Sequence, residues 1–232
     1  LESLANPEKA AVLQRFFKTG PGEYGEGDVF RGIRVPALRL LAMKHMALPT
    51  AEIVTLLRSR YHEDRLLALL ILIGQFRRGT PETRERIYTL YLANTDRINN
   101  WDLVDASAEH IVGAFLWDRD RKPLYTLAVS ESIWKRRIAV LATFHFIRRG
   151  DFKDILALAE MLINDREDLI HKATGWMLRE VGKRNLEAGE AFLRLHCRTM
   201  PRTMLRYAIE KFPEPERQRY LRARVESAAG SS

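Results

Sequence analysis

The feature that most constrains this chain is a segment that occurs twice. Arg65-Leu66-Leu67-Ala68-Leu69-Leu70, running on to Arg77-Arg78-Gly79, returns as Arg136-Arg137-Ile138-Ala139-Val140-Leu141, running on to Arg148-Arg149-Gly150. The copies are 71 residues apart, about twice a period of roughly 35. Helix starts expected near 62, 99, 132, 167 and 201 carry that period along the chain. The apolar positions recur at helical spacing. Val104, Ala108, Ile111 and Phe115 form one stripe, and Ile170, Ala173/Thr174, Met177 and Val181 form another. Helix pairs of such length stack into an α-solenoid with a continuous inner surface. An all-α solenoid of antiparallel helix pairs is therefore expected in preference to a non-repetitive bundle.

Turn chemistry divides the chain. Leu48-Pro49-Thr50, Gly79-Thr80-Pro81, Gly150-Asp151, Asn164-Asp165 and Phe212-Pro213 separate helices expected near 36–46, 50–60, 62–78, 81–92, 99–115, 120–129, 132–149, 152–163, 167–183, 186–198, 201–211 and 214–225. A first helix runs from Asn6, its N-cap, to Lys18, with Pro7 at the first helical position. The glycine-rich loop that follows contains a literal G-x-G-x-x-G at Gly20, Gly22 and Gly25. No strand precedes it and no βαβ unit follows, so it reads as a surface loop and not a dinucleotide site. One domain is expected over 1–226, with a flexible tail at 227–232.

Composition narrows the partners. With 38 Lys+Arg against 30 Asp+Glu, the chain carries a formal charge of +8. That favours a polyanion: nucleic acid first, an anionic membrane second, an acidic protein third. The longest apolar run, Leu66 to Ile73, is too short to span a bilayer. The single Cys197 excludes an internal disulfide and a multi-cysteine zinc site, and it suits a reducing cytoplasm. The histidines at 45, 62, 110, 145, 171 and 196 show no paired metal-ligand spacing, so a metal-free and cofactor-free site is expected. Nothing requires an oligomer or an obligatory protein partner, and a monomer is expected.

Two stretches carry candidate chemistry. In Asn99-Asn100-Trp101-Asp102-Leu103-Val104-Asp105, the indole of Trp101 and the carboxylate of Asp105 are one helical turn apart on the same face. Asp105 lies about 100° round from Val104, on the flank of the buried stripe, where a carboxylate is partly desolvated yet reachable. In the helix expected at 167–183, Lys172, Trp176, Arg179 and Lys183 form a second stripe. Cations there position a phosphate backbone while the indole meets sugar or base. One period before Lys172 falls Arg137, a candidate phosphate clamp, with the adjacent Arg136 as its competitor.

These residues resemble a known family. The Asn99–Asp105 stretch, Tyr24-Gly25-Glu26-Gly27-Asp28 leading into Arg31-Gly32-Ile33-Arg34-Val35-Pro36, and Lys172-Ala173-Thr174-Gly175-Trp176-Met177-Leu178-Arg179-Glu180 together resemble the AlkD-type DNA alkylation repair glycosylases. The resemblance runs from the glycine loop to about Phe212. It implies a right-handed superhelix of HEAT-like helix pairs that hydrolyses the N-glycosidic bond of cationic N3- and N7-alkylated purines in double-stranded DNA. It also implies roles for individual residues: Asp105 as the essential carboxylate, Trp101 and Trp176 as the site indoles, Arg137 as the phosphate-binding arginine and Arg179 as a basic neighbour. Tyr24 falls in the region of the family's N-terminal aromatic. Cytoplasmic localisation, with nucleoid association in a bacterium, follows from such a substrate.

The chemistry is coherent with the residues. A purine alkylated at N3 or N7 is already a cationic leaving group and needs no general acid. One carboxylate can then stabilise the oxocarbenium-like sugar and orient water. No lysine nucleophile is required, so a monofunctional enzyme leaving an abasic site is expected. The alternative is a non-catalytic α-solenoid that binds damaged or distorted DNA. Asp105 argues against it, since a carboxylate on a DNA-facing surface repels phosphate.

Overall fold

The computed structural model describes the backbone of residues 1–229 and the side chains of residues 1–223. Of the tail expected at 227–232, residues 230–232 lie outside the described residues. The described chain is all-α, and its one β-type pairing is an isolated bridge between Val29 and Tyr61. The chain divides into two compact units, Leu1–Ile111 and Val112–Ser232.

The first unit contains α1 (Pro7–Phe16), α2 (Val35–Lys44), α3 (Thr50–Leu57), α4 (His62–Arg78), α5 (Pro81–Ala93) and α6 (Trp101–Ala108). Helix α1 starts where expected: Asn6 caps it by accepting from the Lys9 amide at 2.9 Å, and Pro7 occupies the first position. It ends early, at Phe16, with Lys18 in the left-handed region at φ 51°. Helix α4 is the centre of the unit, packed by α2, α3, α5 and α6. Surrounded in this way, it has little polar face, and its residues from His62 to Leu69 are all buried.

The first turn of α4 is unusual, because His62, Glu63, Asp64 and Arg65 are consecutive, ionisable and buried. Burying charge is costly unless each group is paired. Here every one of them grips the glycine-rich loop. Glu63 accepts from the backbone amides of Arg31, Gly32 and Ile33 at 2.8–3.1 Å. Asp64 pairs with Arg31, and Arg65 with Asp28. Gly32 is held at φ 78°, and a Cβ there would lie 2.1 Å from the Asn6 carbonyl oxygen, so only glycine fits. The G-x-G-x-x-G segment is thus a loop, as expected, and the residues just after it are tied into the core.

The second unit contains α7 (Ala114–Leu116), α8 (Lys122–Ala128), α9 (Ile133–Ala142), α10 (Phe144–Ile147), α11 (Lys153–Met161), α12 (Asp168–Arg184), α13 (Leu186–His196), α14 (Arg202–Ala208) and α15 (Glu214–Ala229). Helix α12 is its centre, packed by α9, α10, α11, α13 and α14. Its approach to α14 depends on Gly175, where a Cβ would lie 2.4 Å from the Met204 carbonyl oxygen.

Two helices expected to be continuous are not. The run 132–149 breaks after Ala142, where the Thr143 hydroxyl donates back to the Val140 carbonyl at 2.6 Å and competes with the helical ladder. The run 99–115 passes through a π-turn, Glu109–Gly113, before α7. Both expected apolar stripes are buried, with Val104, Ala108, Ile111, Ile170, Ala173, Met177 and Val181 fully so.

The internal repeat holds at the level of hydrogen bonds. In the first unit, Arg65 Nη1 donates to the carbonyls of Ser59 and Arg60 at 3.2 and 3.3 Å. In the second, Arg136 Nη1 donates to the carbonyls of Ser130 and Glu131 at 2.8 and 2.9 Å. Each arginine therefore bonds the residues six and five positions before itself, closing the turn that leads into its helix.

Candidate active site and nucleic-acid interface

The Asn99–Asp105 stretch begins α6. Asn100 is fully buried and joins helix to loop: its Oδ1 accepts from the Trp101 amide at 2.8 Å, and its Nδ2 donates to Asp28 at 3.1 Å. The Trp101 indole stacks on Phe17 with ring centroids 5.1 Å apart. Its Nε1–H donates to the Tyr24 hydroxyl at 3.3 Å. The structure thus brings Tyr24 and Trp101 together and leaves the indole half-buried against the loop.

Asp102 and Asp105 diverge from there. Asp102 accepts from His62 Nε2 at 2.8 Å, while His62 Nδ1 meets Asp28 at 3.0 Å. Burial pushes the His62 imidazole toward neutrality, but hydrogen bonds and charge from Asp102 and Asp28 outweigh it and raise its pKa to about 9. Asp28 pays for burial too, yet His62, Arg65 and Asn100 hold it below the usual carboxylate range. Asp102 therefore belongs to a buried ionic chain that locks the start of α6 onto the loop. Asp105, one turn along from Trp101, is half-buried. It lines a groove of about 450 Å³ with Arg39, Met43, Met46, Gly74, Arg77 and His110.

In the second unit the expected basic face is present but engaged. Lys172 pairs with Asp168 at 2.8 Å, Lys183 with Glu180 at 2.7 Å, and Arg179 with Glu210. Trp176 is half-buried beside Phe144, their centroids 6.1 Å apart. Arg136 is held by Asp165 at 2.7 Å as well as by its two loop carbonyls. Arg137 is buried, and its Nη1 donates to the Leu169 carbonyl at 2.5 Å. The internal repeat separates the adjacent arginines. Arg136 matches Arg65 and does the same structural work, whereas Arg137 stands where the first copy has the core residue Leu66.

Over residues 1–212 the chain matches the family described as DNA alkylation repair enzyme. The chain belongs to that family. Its fold is similar to that of a predicted DNA alkylation repair enzyme from Enterococcus faecalis, with a TM-score of 0.69 at 19% identity, covering 90% of this chain and 97% of that one. It is also similar to smu.31 from Streptococcus mutans UA159, with a TM-score of 0.54 at 15% identity, covering 89% and 98% of the two chains. None of the curated proteins matches it.

For a DNA alkylation repair enzyme, several residues of interest escaped the sequence reading. Asp28, His62 and Asn100 build the frame that holds the start of α6, and Arg39 and Arg77 line the same groove as Asp105. The clustering of His62-Glu63-Asp64-Arg65 in a helix otherwise made of Leu and Ile was the available signal for the frame. Among the described residues, no group of three or more His, Cys, Asp or Glu side chains is placed to hold a metal ion. No described helix is long and apolar enough to cross a membrane.

Proposed function

We propose that this DNA alkylation repair enzyme is a monofunctional glycosylase, hydrolysing the N-glycosidic bond of cationic N3- and N7-alkylated purines in duplex DNA. The observation that carries the reading is the position of Asp105, which lines a groove with Arg39 and Arg77 one turn beyond Trp101, while the neighbouring Asp102 is built into the frame with His62. A carboxylate so presented offsets positive charge developing on the deoxyribose and orients the attacking water. The cationic base departs neutral, so no second carboxylic acid is needed to protonate it. Trp101 and Trp176 each offer an indole face to a cationic nucleotide, worth about 0.5–2 kcal/mol apiece. Arg137 binds backbone phosphate, with Lys172, Arg179 and Lys183 as further cations that exchange a carboxylate partner for phosphate. The chemistry calls for no metal or cofactor, and the enzyme acts as a monomer in the compartment that holds the DNA.

The test is release of methylated purines from methylated duplex DNA by the wild type and by Asp105→Asn. Release by the wild type, falling by orders of magnitude in Asp105→Asn with DNA binding retained, is expected. Tight binding without release from either protein would instead leave a non-catalytic binder of damaged DNA.

A further inference from the structure

The groove in front of Asp105 poses an electrostatic problem. A carboxylate that works on a polyanion repels the phosphates on either side of its target, and nearby cations must offset that repulsion. Two are in the groove: Arg39 on α2 and Arg77 in the last turn of α4. Both are exposed, and neither guanidinium makes a hydrogen bond or ion pair among the described residues. This sets them apart from Arg136, Arg179 and Lys183, which hold Asp165, Glu210 and Glu180. Those groups must release a carboxylate before they accept a phosphate, whereas Arg39 and Arg77 give up only water. Met43 and Met46 lie in the same groove and offer apolar, adaptable surface suited to the edge of a sugar.

We propose that Arg39 and Arg77 are a phosphate grip that seats the DNA backbone beside Asp105. The inference rests on the reading of Asp105 as the group that meets DNA. Two guanidinium forks on separate helices fix the register of a strand along the groove, which a single cation does not do. They also keep the backbone attached while Asp105 remains ionised.

The experiment measures binding of a short duplex carrying a stable abasic-site analogue, across a range of salt concentrations, by fluorescence anisotropy. Arg39→Ala and Arg77→Ala are each expected to reduce the slope of log affinity against log salt by about 0.9, and the double variant by about twice that. Between roughly 50 and 200 mM salt, each lost contact makes the fall in affinity about 3.5-fold smaller. Arg58→Ala, at an exposed arginine outside the groove, is the control and keeps the wild-type slope. A double variant with unchanged slope, or one that changes no more than Arg58→Ala, overturns the grip, as does a wild type that does not bind the duplex. Base release from methylated duplex, measured on the same preparations, reports separately on the glycosylase. Release with unaltered slopes sinks the grip alone, and altered slopes without release sink the enzymatic reading alone.

Discussion

His62 holds Asp102 through Nε2 at 2.8 Å and Asp28 through Nδ1 at 3.0 Å, so one buried imidazolium joins α6 to the glycine-rich loop. Its pKa, raised from 6.5 to about 9, makes that joint sensitive to alkali. A group whose folded-state pKa is raised stabilises the fold fully below its unfolded value, and that contribution fades as pH climbs through the folded value. Unfolding free energy from urea titrations should therefore decline between about pH 6.5 and pH 9. Asp28 has the opposite sign: its lowered pKa supplies stability that disappears on acidification below the usual carboxylate range. His62→Gln should flatten the alkaline decline and lower stability at neutral pH, because it removes the cation that joins Asp102 to Asp28 and leaves Arg65 on Asp28 alone. A variant with the wild-type pH profile would disconnect His62 from this joint.

Gly32 should tolerate nothing larger. At φ 78°, with the Asn6 carbonyl oxygen 2.1 Å from where a Cβ would lie, Gly32→Ala combines backbone strain with a clash against main chain. A loss of about 2 kcal/mol or more is expected in chemical denaturation. Gly22→Ala, at a similar positive φ but with nothing within 4 Å, should cost about 1 kcal/mol. Equal losses at the two positions would mean that the contact with Asn6 does not matter.

Tyr24→Phe removes the acceptor for the Trp101 indole N–H while keeping the ring. Stability should drop by about 0.5–1.5 kcal/mol. If Trp101 works through its ring face, base release should fall only modestly in Tyr24→Phe and far more in Trp101→Ala. A Tyr24→Phe loss as large as that of Trp101→Ala would make the tyrosine hydroxyl itself part of the chemistry.

Arg136 and Arg137 should separate cleanly. Arg136→Ala removes the Asp165 pair and two carbonyl contacts, so its main effect should be on thermal stability, by about 1–3 kcal/mol. Arg137→Ala should weaken duplex binding and reduce its salt slope by about one phosphate contact. A binding defect in Arg136→Ala, with none in Arg137→Ala, would reverse the assignment.

How much of this was legible beforehand depended on distance along the chain. Helical stripes and the Trp101–Asp105 spacing involve neighbours within a few turns, where periodicity speaks directly. The repeat exposed the arrangement of helices because a 71-residue echo survives in the residue types. The ionic frame was hidden, since Asp28 and His62 are 34 positions apart and His62 and Asp102 are 40 apart. Nothing in local pattern pairs them. Arg39 and Arg77 were invisible for the same reason: each is an ordinary polar position on its own helix until packing puts both in one groove with Asp105. The break at Thr143 depends on local competition for a carbonyl, and neither it nor the π-turn at Glu109–Gly113 is reported by an apolar stripe.

Arg65 and Arg136 fasten each helix to its own preceding turn, and the very next position is leucine in one copy and arginine in the other. Fastening and slot are thus adjacent but independent, so one copy of the module can carry an apolar side chain and the other a buried guanidinium while the same arginine closes the turn in both.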